Sequence, residues 1–232
     1  MRSDSSKLQD LLDGLATRAP TGDGRAEQRS PKPFPGAAPV AVAEPGEDPG
    51  RTRDLRDTLA ARRSTLHYAD TPVRTGLVLG LVRTALRRDS EDWGLDGETG
   101  PLEAFVFALR SEGEPAGVYR VTAREASFIA PASDLGDPEL LGVQREFADA
   151  AGIVGVFADL DRADSWAGAH GHRICTVRAS MALYDFHLRC QSHGLAGTPF
   201  GGFIGTAVRG LVQNDGATRH PLLAATYAHP VS

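Results

Sequence analysis

Three segments, far apart in the sequence, carry residue types suited to a flat, phosphorylated ligand. Arg62-Arg63-Ser64 sets two guanidiniums and a hydroxyl side by side, a fork for a phosphate group. Asp96-Gly97-Glu98-Thr99-Gly100-Pro101 precedes a strongly apolar run, and a glycine there lets backbone approach a planar ring closely. Thr198-Pro199-Phe200-Gly201-Gly202-Phe203 offers two glycine amides suited to a ring nitrogen or an anion, with Phe200 beside them. Arg219 is either a second phosphate contact or a solvated loop arginine. Each segment also has a plainer reading. Adjacent arginines at a helix end complement the dipole, and the two glycine-bearing segments serve as ordinary turns.

Other constellations carry less. His187, Cys190 and His193 lie at i, i+3 and i+6, and i+6 turns roughly 120° away from i+3, so they do not converge and no metal site is expected. Cys175 and Cys190, on one helix, would sit about 22 Å apart, which excludes a disulfide between them.

These residues need elements to position them. Residues 51–63 read as a helix with Leu55 and Leu59 on one face. Thr71-Pro72 reads as a helix start, with a capping hydroxyl and proline at the first turn, leading into a helix over 73–88. Residues 102–109 form a buried strand and 117–121 a shorter one. Pro138 opens a helix to residue 151, and 153–160 is a central strand. Between His172 and His193, Ile174, Val177, Met181, Tyr184 and Leu188 recur at spacings of 3, 4, 3 and 4, a coiled-coil-like seam ended by Gly194. That seam serves either a dimer interface or burial within one subunit. A strand at 195–199, a helix at 205–212 and a strand at 222–227 complete the order. Helices and strands mix without βαβ alternation, which disfavours a doubly wound sheet and implies an α+β class.

Composition sets the frame. The 232 residues suit one domain plus a tail, and 41% hydrophobic with 24% charged residues is ordinary for a globular chain. A net charge of −5 leaves no phosphate-neutralising excess for nucleic acid. No stretch approaches the roughly 20 apolar residues of a membrane span, and the first residues lack a signal-peptide core, so a cytoplasmic protein is expected. Residues 17–50 are rich in Pro, Gly, Ala and Glu, with Phe34 the one aromatic, and are expected to be disordered. Leu8, Leu11, Leu12 and Leu15 place a short amphipathic helix over residues 6–16 of this leader. It is a docking peptide for a partner enzyme or a frayed end. The expected division is therefore a leader over 1–50 and one folded domain over 51–232.

The order and spacing of the three segments together resemble the nitroreductase superfamily. Within it they resemble the azoline dehydrogenases of peptide natural-product biosynthesis, which form thiazoles and oxazoles. Arg62-Arg63-Ser64 with Tyr68 looks like that family's opening flavin-phosphate motif. Gly97 with Pro101-Leu102-Glu103 sits at its second loop, and Gly117-Val118-Tyr119 matches its Gly-x-Tyr strand. Gly171-His172-Arg173 through Gly194-Leu195 is similar to its long helix. Pro199-Phe200-Gly201-Gly202-Phe203 is similar to the loop whose backbone meets the flavin ring, and His220-Pro221-Leu222 through Pro230 to its closing strand.

The resemblance implies a nitroreductase-like fold with a central mixed or antiparallel sheet and a long dimerisation helix. It also implies FMN held by Arg62, Arg63, Ser64, Gly97, Phe200, Gly201, Gly202 and Arg219. The implied assembly is a homodimer, or a heterodimer with a paralogous subunit, acting on a peptide. Oxidising a thiazoline or oxazoline removes a carbon-bound proton, so a base is required. The family's Lys-Tyr pair is replaced here by Trp166-Ala167, and the local candidates are His170, His172 and Asp185. The family's polar helix residues read Arg178, Ser180 and Tyr184-Asp185. A second expectation follows from these departures: a non-catalytic subunit that pairs with a catalytic partner or scaffolds a peptide-modifying complex.

Overall fold

Alternation of small and aromatic residues along two strands sets the architecture. A computed structural model describes residues 29–42, 52–95, 100–201 and 208–231. Its strands are β1 (Ala38–Val40), β2 (Val73–Arg74), β3 (Leu102–Ala108), β4 (Ser111–Glu112), β5 (Gly117–Val121), β6 (Ala126–Pro131), β7 (Gly152–Ala158), β8 (Pro199–Phe200) and β9 (His220–Tyr227). Its α-helices are α1 (Leu55–Ala61), α2 (Thr75–Asp92), α3 (Leu160–Ala167) and α4 (Gly171–Ser192). Seven strands form one sheet in the order β1-β6-β5-β3-β7-β9-β8, every neighbouring pair antiparallel.

Successive strand residues face opposite sides, and in β3 both sides are buried. Ala104, Val106 and Ala108 join the core that holds α2 and α4, whereas Phe105 and Phe107 join a second, aromatic core with Phe147, Ile153 and Phe157. Small residues let the helices approach the first face. Aromatic rings fill the second, where Phe105 meets Phe157 edge-on at 5.0 Å.

The long helix α4 divides its faces sharply. Cys175, Ala179, Ala182, Leu183, Phe186 and Cys190 are buried at helical spacing against the sheet. The seam residues Val177, Met181 and Tyr184 point the other way and are 50%, 57% and 42% exposed. Burial raises the Cys175 thiol to about 11 and the Cys190 thiol further, so both remain protonated thiols. Gly194, at φ +78°, takes the left-handed conformation that ends the helix.

Several elements depart from the sequence reading. Residues 138–151 are not a helix: two 3-10 turns, Pro138–Leu140 and Arg145–Asp149, replace it. The helix expected from Thr71-Pro72 starts at Thr75 with Arg74 as N-cap, because Val73–Arg74 pairs in parallel with Ser111–Glu112. Leu55 and Leu59 of α1 are exposed, and Thr58 is its buried residue. Residues 29–42, within the stretch read as a disordered leader, run as an arm that turns at Pro35-Gly36 and then adds β1 to the sheet. The amphipathic helix at 6–16 and most of the helix at 205–212 lie outside the described residues. No helix among the described residues is long and apolar enough to cross a membrane.

Candidate functional site

At Arg62 the chain leaves α1 with an extended ψ of 127°, its own N–H donating to the Thr58 carbonyl. The next residues run beside a segment about 130 positions later. Ser64 bridges Gly197 in parallel, and the Thr198 hydroxyl donates to the Thr65 carbonyl at 2.6 Å. Gln191, near the end of α4, donates to the Arg63 carbonyl at 3.3 Å. The Thr198 N–H donates to the Thr226 hydroxyl oxygen at 2.9 Å, and that oxygen lies 2.8 Å from the Tyr68 hydroxyl. Gly197 is required here, because a Cβ would stand 2.0 Å from the Thr226 carbonyl oxygen. Three chain segments are thus sewn together at one corner, with Arg62-Arg63-Ser64 on one side and Pro199-Phe200-Gly201 on the other.

The corner is open and positive. Arg62 is half-buried and Arg63 exposed, and neither guanidinium has a carboxylate partner among the described residues. Among the described residues Arg63 donates to the carbonyls of Ala60 and Arg62, at 3.2 and 2.9 Å. A Cβ built on Gly201 meets nothing within 4 Å among the described residues, which leaves space for a ligand against that backbone. Phe200 is fixed by stacking on Phe147, with centroids 4.0 Å apart and rings 21° from parallel. Burial raises the Tyr68 phenol above its ordinary value, with Asp149 adding to the effect, so it keeps its proton at neutral pH.

Behind the arginines lies His187, 1% exposed, one helical turn before Gln191 on the same face of α4. Its Nε2 has no hydrogen-bond partner among the described residues. Burial, and next the charge of Arg62, lower it to about 4, so the imidazole is neutral at physiological pH.

The other candidates lie elsewhere. His170 and His172 are at the start of α4, where the His172 ring meets His220 edge-on at 5.6 Å. Nineteen residues of helix separate His172 from Gln191, about 28 Å. Within one chain, then, neither histidine reaches the corner.

Asp185 is paired with Arg189 at 2.9 Å and Arg88 at 3.9 Å, beside a groove of about 310 Å³ between α2 and α4. Arg219 is 2% exposed and fully engaged: it donates to Glu103 at 2.7 Å and to the Lys32 carbonyl at 2.6 Å, and lies 4.5 Å over the Phe34 ring. Seven strand residues place it about 23 Å from Thr226, at the far end of β9.

Gly97 and Gly202 lie outside the described residues. The described end of the second segment, Gly100, packs near Ser90 and the Arg178 guanidinium. That is about 20 Å along α4 from the corner.

Sequence reasoning missed Thr226 and Gln191, and named Thr198 only as the start of the glycine segment; all three hold the corner together. It considered His187 only as a metal ligand. Among the described residues no three His, Cys, Asp or Glu side chains gather as metal ligands.

Neither protein-family models nor curated proteins gave a match to this chain. Solved structures did. A protein of Anabaena variabilis, described as a nitroreductase, superposes with a TM-score of 0.70 at 20% identity, over 95% of this chain and 47% of its own. The present chain thus spans about half the length of that protein. One from Ralstonia eutropha, also described as a nitroreductase, gives 0.57 at 19% identity over 88% of this chain and 100% of its own. An FMN-dependent nitroreductase of Clostridium difficile gives 0.51 at 14% identity, covering 75% and 87%. The chain has the nitroreductase fold.

Proposed function

We propose that this chain is an FMN-dependent oxidoreductase, most like an azoline dehydrogenase acting on a ribosomally made peptide. The observation that supports this reading is the corner itself. Two arginines without carboxylate partners among the described residues, a serine and a glycine backbone lie on segments about 130 residues apart that the fold joins. That donor set fits a phosphate ester with a flat ring beyond it: Arg62, Arg63 and Ser64 take the phosphate, and Gly201 gives the ring backbone to lie on. When bound, a flavin supplies the hydride chemistry, and the protein supplies position and electrostatics. Neutral His187 and protonated Tyr68 leave the arginines' charge uncancelled at physiological pH.

The assembly proposed with it is a dimer, with a second copy or a paralogous subunit, through the outward face of α4. Val177, Met181 and Tyr184 are exposed there, with Trp93 and Trp166 also exposed. Such a mate is also the route by which a second glycine loop would reach the corner. Met181→Lys would then shift the sedimentation of the chain to that of a monomer.

The direct test is the visible spectrum of the freshly purified protein. A flavin absorbance, with FMN released on denaturation, is the expected result; a colourless protein that takes up no added FMN would falsify the reading.

A second reading, a non-catalytic nitroreductase-fold subunit of a peptide-modifying complex, is favoured by one observation. His170 and His172 stand about 28 Å from the corner, and Asp185 is committed to two arginines. A chain that holds FMN, yet oxidises no azoline peptide without another subunit, would select this second reading.

A further inference from the structure

Residues 29–42 lie on the domain as a peptide lies in a groove. Their strand β1 pairs three residues with β6, the outer strand of the sheet. Arg219 and Gln213 then donate to two successive main-chain carbonyls of the arm, those of Lys32 and Pro33, at 2.6 and 3.1 Å. One aromatic arm side chain enters the interior, Phe34, edge-on to Phe105 at 5.9 Å and 4.5 Å beneath the Arg219 guanidinium, while Val40 and Val42 pack partly buried against the helix-bearing core. Arg29 pairs with Asp161 at 2.6 Å on the surface. Carbonyl contacts, an added strand, one aromatic anchor and two small apolar contacts recognise a chain chiefly through its backbone. Prolines at 31, 33, 35 and 39 suit such a segment, because they fix φ and need no acceptor for an N–H.

The arm fills its groove incompletely. A cavity of about 550 Å³ remains beneath it, bounded on the arm side by Pro31, Ala37 and Pro39 and on the domain side by Glu103, Arg120 and Thr122. Small arm residues leave this space; larger polar side chains would occupy it. The arm itself is mostly exposed, which favours local opening of the segment without loss of the sheet beneath it.

We propose that this groove is a docking site for a proline-containing peptide with one aromatic anchor, and that residues 29–42 are its resident, displaceable occupant. The partner adds to β6, offers carbonyls to Arg219 and Gln213, seats its aromatic ring on Phe105 and extends polar side chains toward Glu103, Arg120 and Thr122. This docking is independent of any cofactor.

Fluorescence anisotropy with a labelled synthetic peptide of residues 29–42 tests it on the full chain. In the wild-type chain the tethered arm competes at an effective concentration in the millimolar range, so binding is weak. Phe34→Ala in the chain removes the anchor of the resident arm, and the free peptide is then expected to bind at least tenfold more tightly than to wild type. Arg29→Ser, which leaves the core untouched, is expected to give a severalfold gain and covers the case of a Phe34→Ala chain that fails to fold. The same peptide carrying Phe34→Ala is expected not to bind. Two results overturn the proposal: folded variants of both kinds that bind no more tightly than wild type, or a peptide lacking its aromatic ring that binds equally well. Peptide binding that only dissociates a wild-type oligomer would likewise overturn it, by showing that the arm serves a second copy.

Discussion

Arginines at the two ends of the long helix do opposite things. Near its start Arg178 is fully buried, bidentate on Asp89 and flanked by the Trp93 and Trp166 rings at 4.9 and 5.7 Å. Near its end Arg62 and Arg63 meet no carboxylate among the described residues, and Arg63 donates to the carbonyls of Ala60 and Arg62. Arg219 follows the first pattern: it shares Glu103 with Arg120 and is sealed under the arm. A guanidinium neutralised in the interior is a fastening between elements, whereas one left without a counter-ion is a site. Residue type alone does not separate the two; the partner does.

The largest break in that comparison comes from the fastening. Arg178→Met leaves Asp89 charged and buried, an uncompensated state that typically costs about 3–5 kcal/mol. The melting temperature should fall by many degrees, whereas a solvated arginine would leave it unchanged. Next comes His187. Burial holds its folded value near 4 against about 6.5 in the unfolded chain, so between those values the unfolded state binds more protons. Its contribution to stability is complete above pH 6.5 and lost as pH falls toward 4, a loss of roughly 3 kcal/mol. Denaturant titrations across that range should show the slope in wild type and lose most of it in His187→Phe. Smaller, and specific to the open end, is the effect of Arg62→Ala or Arg63→Ala. Each should weaken FMN retention by about 1.5–3 kcal/mol, roughly 10- to 150-fold, while melting of the cofactor-free chain barely moves. A double mutant with unchanged FMN affinity would remove the phosphate assignment.

The core was legible where burial follows a local rule. Residues 104–109 are apolar without alternation, as a strand buried on both faces requires, and β3, with Glu103 near its start, is that strand. The face division of α4 was half legible: the 3-4 spacing marked an apolar stripe, but a second stripe of small residues and Phe186 took the core. Pro138 signalled a helix, yet the chain folds back at Gly142, whose Cβ would stand 2.7 Å from the Phe147 ring, and two short turns result. Arg62-Arg63-Ser64 and Gly201 stood out by type. Thr198 and Thr226, which join their segments, have no local signature, because their roles follow from β8 pairing with β9. Arg219 looked like a phosphate ligand because its partner Glu103 lies 116 residues away. The arm's order rests on Phe34 and on long-range donors, which composition averages away.

The smallest expected effect concerns Asp185. Its pair with Arg189 is an i,i+4 contact between partly exposed side chains, worth about 0.3–0.5 kcal/mol. Asp185→Asn should therefore leave the melting temperature within a degree or two, so any loss of turnover in a flavin-loaded protein is chemical rather than structural. Removing Arg189 and Arg88 instead keeps the carboxylate and frees it from both partners. If Asp185 is the base, Asp185→Asn abolishes azoline oxidation, whereas the double arginine variant retains it. If both variants turn over like wild type, the carboxylate is a surface ion pair, and the proton must leave through a group supplied by the other subunit.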